Sequence, residues 1–330
     1  MRLARGALAL ALVACAAPSP RLMHPDMDAK RIARKDPPRA HPDVSVEPSA
    51  CGRCHTRELQ AWRRSGHARA FTEPLFEREW SLRRSPWCLT CHAPRSELGH
   101  ASLGVDCASC HLRDGAVIAA RASGRAPHAS HADPTFAGPD ACARCHEFRH
   151  PRRGDLLVQS TLSEHAASPS RDVPCQRCHM PNGSHAFPGV HDRALLSEAL
   201  DVRADAVRES ADTVRVTLRL RASGAGHAVP TGDLGRLLVV TAELGATRAQ
   251  IELGRTIRIE HGRYVEVADT RVPPDGEREV TLVLHGRGAD VRWRVDLFRM
   301  PFTPGERTEP LDLALRHPMV AGRAPVRDAR

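Results

Sequence analysis

From residue 212 onward the chain alternates apolar and polar positions. Asp212-Thr-Val-Arg-Val-Thr-Leu-Arg-Leu220 puts Val214, Val216, Leu218 and Leu220 at every second place, with Arg and Thr between them. Successive side chains of a strand point to opposite faces, so this pattern predicts a strand buried on one side. Runs over 235–244, 250–260, 264–268, 278–284 and 291–298 continue it, divided by turns such as Pro273-Pro-Asp-Gly276. Strands at this regular spacing predict an antiparallel β-sandwich over 197–320, with 321–330 as a tail.

The N-terminal pattern differs. Arg2 and Arg5 precede an apolar run from Ala7 to Ala14, too short for a membrane span and typical of a secretory signal. It ends in Leu12-Val13-Ala14-Cys15, which resembles a bacterial lipobox, so residues 1–15 are expected to direct lipidation of Cys15; ordinary cleavage at Ala14-Cys15-Ala16 is the alternative. Residues 16–50 have no apolar period and many Pro and charged residues, the composition of a tether.

Composition sharpens the picture of what lies between. Aromatic residues make up only 4% of the 330, too few to fill the cores of two ordinary domains. Something else must fill the interior. Eleven cysteines point to it: after Cys15, all fall into Cys51-Gly-Arg-Cys54-His55, Cys88-Leu-Thr-Cys91-His92, Cys107-Ala-Ser-Cys110-His111, Cys142-Ala-Arg-Cys145-His146 and Cys175-Gln-Arg-Cys178-His179. CxxCH is the attachment pattern of haem c. Two intervening residues let the thiols reach the two vinyl groups of one porphyrin as thioethers, and the adjacent imidazole binds iron from one side. Zinc is the competing reading, since CxxC pairs bind it in twos, but five pairs is an odd number and each carries its own histidine. Local CxxC disulfides leave the five histidines unexplained.

The five proximal histidines follow one another at 37, 19, 35 and 33 residues, so five covalently attached haem c groups would be closely packed and supply the missing core of residues 51–196. Charge changes as well. The formal +9 and a pI near 9.3 suggest nucleic acid at first sight. Loss of the signal and gain of ten propionates bring the oxidised holoprotein to about +2 and the reduced form to about −3, which removes nucleic acid as a partner.

These segments resemble the bacterial multihaem cytochromes c related to the tetrahaem electron carriers of ammonia oxidisers. The resemblance rests on CGRCHTRELQAWRRSGHARAF, GVDCASCHLRDG, CARCHEF and VPCQRCHMPNGSHAFPGVHD, followed by AGHAVPTGD, and covers about residues 50–300. It implies electron transfer between stacked haems with histidine on both faces of most irons. It also implies distal ligands: His67 in its Trp62-x-x-Ser65-x-His67-Ala68 element, His128 in preference to His131, and His227, which the β domain would deliver to the haem segment. His185 and His191 flank Phe187-Pro188-Gly189, a loop suited to aiming two imidazoles at different irons. His165 reads as packing or surface, His261, His285 and His317 as surface, and His100 and His150 stay open. Met180 adjoins His179 and is badly placed to reach the same iron.

The expected fold is thus α+β and multidomain: a haem-packed segment of short helices and loops over 51–196, then the antiparallel sandwich. The expected function is an extracytoplasmic electron carrier in the bacterial periplasm or at the cell surface, lipid-anchored through Cys15, with redox proteins as partners and no catalytic residue. A redox enzyme acting on a small nitrogen or sulfur compound is the alternative and needs one open iron. The lysine-ligated CxxCK site is absent from the sequence. A purely adhesive lipoprotein would explain none of the attachment segments.

Overall fold

The computed structural model describes residues 47–329 except 97, 98, 114, 115, 151, 306 and 308. The signal, Cys15 and the tether up to residue 46 therefore lie outside the described residues. Short helices come first: α1 (Pro48–Cys51), α2 (Thr56–Arg63), α3 (Pro74–Arg83), α4 (Pro86–His92), α5 (Cys107–His111), α6 (Asp140–His146), α7 (Thr161–Ala167), α8 (Cys175–His179) and α9 (Arg193–Glu198). Five short strands, β1 (Leu112–Arg113), β2 (Ala116–Ala119), β3 (Ser130–Ala132), β4 (Glu147–Arg149) and β5 (Leu157–Ser160), are interleaved with them.

Four of the five CxxCH segments end a helix, and sequence chemistry sets where those helices begin and stop. Asp106 caps α5 by accepting from the Ser109 N–H at 2.9 Å, and Pro86 opens α4 at a position where no amide donor is needed. In a helix the positions i, i+3 and i+4 share a face, so both thiols and the imidazole of each segment point the same way. Each of these helices stops at the histidine: strands take over at Leu112 and Glu147, and Pro94 and Pro181 follow the other two within two residues.

The C-terminal half is a β domain: β6 (Asp201–Arg208), β7 (Thr213–Arg221), β8 (Arg236–Leu244), β9 (Thr247–Leu253), β10 (Arg255–Glu260), β11 (Arg263–Asp269), β12 (Glu277–His285), β13 (Asp290–Arg299) and β14 (Arg316–Asp328). Seven of these strands form one sheet in the order β12-β7-β6-β14-β13-β8-β9, antiparallel except for the parallel β14–β6 pair. The sheet curls until β12 approaches β9, so the two layers expected of a sandwich are the two halves of one sheet. Val214, Val216, Leu218 and Leu220 are fully buried in it, as the alternation requires, and pack with Leu238, Val240, Val295 and Leu297 from the facing half.

Two strands were hidden from the pattern. β6 turns only Val202, Ala204 and Ala206 inward, a faint apolar signal. β14 corrects the expected tail: residues 321–328 lie at the middle of the sheet, although Pro318, Gly322 and Pro325 read as loop punctuation. Gly322 is required there, because a Cβ would stand 2.5 Å from the Trp293 indole packed across it. The run expected over 250–260 is broken at Gly254, and β10 and β11 form a separate hairpin. That hairpin ties the halves together: Arg255 donates to the Leu157 carbonyl at 2.9 Å, and the Tyr264 amide to that of Arg153 at 2.7 Å.

Candidate functional site

Among its described residues the helical part has no apolar cluster of its own. Both hydrophobic clusters among the described residues lie in the C-terminal half and the helix leading into it, while residues 47–196 bury Ala61, Trp62, Ala93, Ala108, Leu112, Ala143 and Leu162 as separate contacts. A segment of this length needs interior mass to offset its conformational entropy. The porphyrins implied by CxxCH would provide it.

The imidazoles are arranged to suit such groups. His92 Nδ1 meets the Ala70 carbonyl at 2.8 Å, His111 Nδ1 that of Ile118 at 2.9 Å, and His179 Nδ1 that of Pro188 at 2.7 Å. A carbonyl only accepts, so Nδ1 carries the proton and Nε2 keeps a free lone pair, the form a metal ligand needs. Burial favours the same neutral state. It pushes the His146 pKa down to about 3 and that of His67 to about 4, and lowers those of His92, His111 and His227.

Three expected distal histidines face a proximal one. Ring centres of His67 and His146 are 6.3 Å apart, of His111 and His185 6.1 Å, and of His179 and His227 6.3 Å. A metal bound at about 2.0 Å to one nitrogen of each ring would hold the ring centres about 6.3 Å apart. The residues present fit haem iron between them. His67 is brought there by the turn after α2, where Trp62 Nε1 donates to the Val105 carbonyl at 2.8 Å and the His67 carbonyl accepts the Val105 amide at 2.9 Å. His227 comes from the connection between β7 and β8, which approaches α9 so closely that a Cβ on Gly224 would lie 1.9 Å from the Glu198 carbonyl oxygen.

The other expected ligands are placed differently. His191 does not face a proximal imidazole: its Nε2 accepts from Arg299 at 3.2 Å, and its ring lies edge-on to His317 at 5.3 Å. His317, expected as a bystander, thereby joins a cluster with Arg299 and Glu73. His128 sits in the loop before β3 with Nδ1 3.4 Å from the Ala129 carbonyl. Among the described residues no imidazole ring packs opposite His55 or His92; the face of the His92 ring stacks on Phe76 at 3.9 Å and 11°. His165 spends Nε2 on the Val173 carbonyl at 2.9 Å, in keeping with a packing role. His150 packs against Trp87 and Tyr264, and His100 pairs with Glu47 at 3.0 Å.

No disulfide joins the ten described cysteines. Cysteines of different segments are neighbours: Cys51 of Cys107, Cys91 of Cys145, and Cys142 of Cys175. The first site thus adjoins the third, the second the fourth, and the fourth the fifth. Beside the first and third sites, Arg95 and Asp106 form a fully buried ion pair that sequence reading did not single out. Their separation of eleven residues follows no local pattern; only the helix-capping aspartate before Cys107 could have been noticed.

Residues 50–112 match the protein family described as cytochrome c554 and c-prime. No curated protein matches the chain. Among solved structures, the crystal structure of MtrC from Shewanella baltica OS185 is similar at 15% identity and a TM-score of 0.22, over 73% of this chain and 45% of that one, so the match spans less than half of MtrC. The family match takes in the first three CxxCH segments, and the same pentapeptide recurs twice beyond it. Over residues 50–112 the chain is thus similar to a family of c-type cytochromes.

Proposed function

We propose that the protein is an extracytoplasmic electron carrier with five haem c groups attached through Cys51 and Cys54, Cys88 and Cys91, Cys107 and Cys110, Cys142 and Cys145, and Cys175 and Cys178. The observation that carries this reading is the set of three imidazole pairs at 6.1–6.3 Å, His67–His146, His185–His111 and His227–His179, each joining a CxxCH histidine to one distant in sequence. Bound haem supplies one-electron Fe(III)/Fe(II) chemistry. The chain's own residues do the rest: backbone carbonyls fix the tautomer of His92, His111 and His179, and the adjacency of the attachment segments brings neighbouring sites close together. His128 and His191 are left for His55 and His92. Glu73 and Arg299, which bind or adjoin His191, also act electrostatically on His92 and favour that assignment for His191.

Export and a lipid anchor at Cys15 belong to the same proposal, with redox proteins as donor and acceptor. Among the described residues no helix is long and apolar enough to cross a membrane. Cys15→Ala should release the protein from the membrane fraction; unchanged association would discard the anchor. The carrier reading is tested by the mass and EPR spectrum of oxidised holoprotein: five haems, with low-spin signals from the paired sites. One observation favours the enzyme alternative. His191, the candidate left for His92, has its Nε2 engaged by Arg299, which suits one open iron. A high-spin signal that shifts on adding cyanide would support that alternative over the pure carrier.

A further inference from the structure

His227 is held by a network that neither electron transfer nor sheet formation requires. The three residues that follow His227-Ala228 are each fastened. Val229 and Val272 exchange both backbone hydrogen bonds, at 2.9 and 3.0 Å. The Pro230 carbonyl accepts from Arg271 Nη1 at 3.2 Å. The Thr231 hydroxyl donates to Glu164 at 2.6 Å and lies 2.8 Å from the Thr161 hydroxyl, while the Thr231 carbonyl accepts from Arg236 at 3.0 Å.

Arg271 and Glu164 are the centre of this arrangement. Arg271 is 7% exposed and Glu164 9%, and they pair at 2.6 Å across the boundary between the β domain and α7. Asp269 completes the shell of Arg271 at 2.7 Å, and Ser160 donates to Glu164 at 2.7 Å. A buried ion pair is a poor way to gain stability, since desolvation offsets most of the attraction. It does demand one geometry, because either partner displaced leaves an uncompensated charge. Helix α7 is itself hung from the fourth site: the buried carboxylate of Glu147, next to His146, accepts the amides of Leu162 at 3.0 Å and Ser163 at 3.2 Å. A connected path therefore runs from His146 through Glu147, α7, Glu164 and Arg271 to His227.

We propose that Glu164 and Arg271 are positioning residues that set the orientation of the His227 imidazole toward His179, making ligation at the fifth site depend on docking of the β domain. The inference rests on the reading of His227 as an axial ligand. The interdomain pair would thereby hold the ligand from behind, as hydrogen-bonded partners orient metal-binding histidines generally.

The test uses holoprotein variants Arg271→Met, Glu164→Gln, Arg271→Lys and His227→Ala, with haem mass, EPR of the oxidised form and spectroelectrochemical titration. Arg271→Met and Glu164→Gln should keep five haems, yet shift or lose the one low-spin component that His227→Ala removes, leaving the others unchanged. Arg271→Lys, which keeps the charge, should recover part of it. Glu164→Gln preserves volume and guards against a merely unfolded Arg271→Met. If His227→Ala removes a component and neither network variant affects it, the positioning role is wrong while the ligand reading stands. If His227→Ala itself matches the parent, the ligand reading fails. Equal disturbance of all components would show a general stabilising role and also overturn the inference.

Discussion

The imidazoles of His179 and His227 lie 6.3 Å apart and 12° from parallel, although one belongs to a CxxCH helix and the other to a connection in the β domain. A domain that merely folded beside the haems would have no reason to present a histidine there. His227→Ala is expected to retain all five haems by mass, convert one low-spin iron to high spin and shift one redox step. A redox titration that overlays the parent's would remove the β domain from the electron-transfer machinery.

The pairs differ in how their rings are turned, 63° for His67 and His146 against 12° for His179 and His227. Parallel imidazoles donate into the same iron d orbital and split it from its partner; crossed ones donate into both and leave them nearly degenerate, which raises the g anisotropy. The oxidised protein should therefore show a rhombic low-spin signal from the His179 site and a signal of unusually large maximum g from the His146 site. His67→Ala should abolish only the latter. Loss of the rhombic signal instead would mean the rings are paired otherwise.

The CxxCH segments were legible because the pattern is local: five residues place two thiols and an imidazole, and in four of the five segments a helix sets all three on one face. Strand β7 was legible for a similar reason, since four inward apolar residues alternate with Arg and Thr. What escaped the sequence depends on distance. Arg271 and Glu164 meet across more than a hundred residues, and nothing near either one marks it as buried. β14 escaped because its Pro and Gly read as loop; they are tolerated because over residues 316–325 the strand pairs with β13 alone, Pro318 stands at a bulge, and pairing with β6 is confined to residues 326–328. His191 lies in a loop, as its Pro and Gly neighbours suggest, but Arg299, contributed by β13, competes for its Nε2 in a way no local pattern shows.

Arg299 also joins Glu73 of the helical part at 2.9 Å, and both side chains are largely buried. Burial alone would raise the Glu73 pKa, but the hydrogen bond and charge of Arg299 outweigh it and hold the carboxyl below its ordinary 4.5. The folded state thus binds a proton at Glu73 less readily than the unfolded state does. Its contribution is present in full above about pH 4.5 and is lost as pH falls through the lower folded-state value. Glu73→Gln should flatten the pH dependence of stability in that window, measured by denaturant midpoints, and leave the neutral-to-alkaline dependence unchanged. An identical acid profile would mean the pair contributes no differential proton binding.

Among the described residues of 47–196 no apolar cluster forms, which makes a prediction about the protein without haem. The β domain buries Leu218, Leu220, Leu238 and Leu244 in one cluster and should fold unaided, whereas the helical segment lacks the buried area to overcome its conformational entropy. Protein made without haem attachment should be trimmed by trypsin to a resistant fragment beginning close to Leu200, with a strand-dominated circular dichroism spectrum. In that fragment Leu218→Ala should cost about 2–5 kcal/mol, the usual range for a fully buried leucine. The same substitution at Leu162, which belongs to neither apolar cluster, should alter the holoprotein only and leave the fragment's proteolysis pattern unchanged. A haem-free protein that resists trypsin over its whole length would show that the helical segment folds on protein contacts alone.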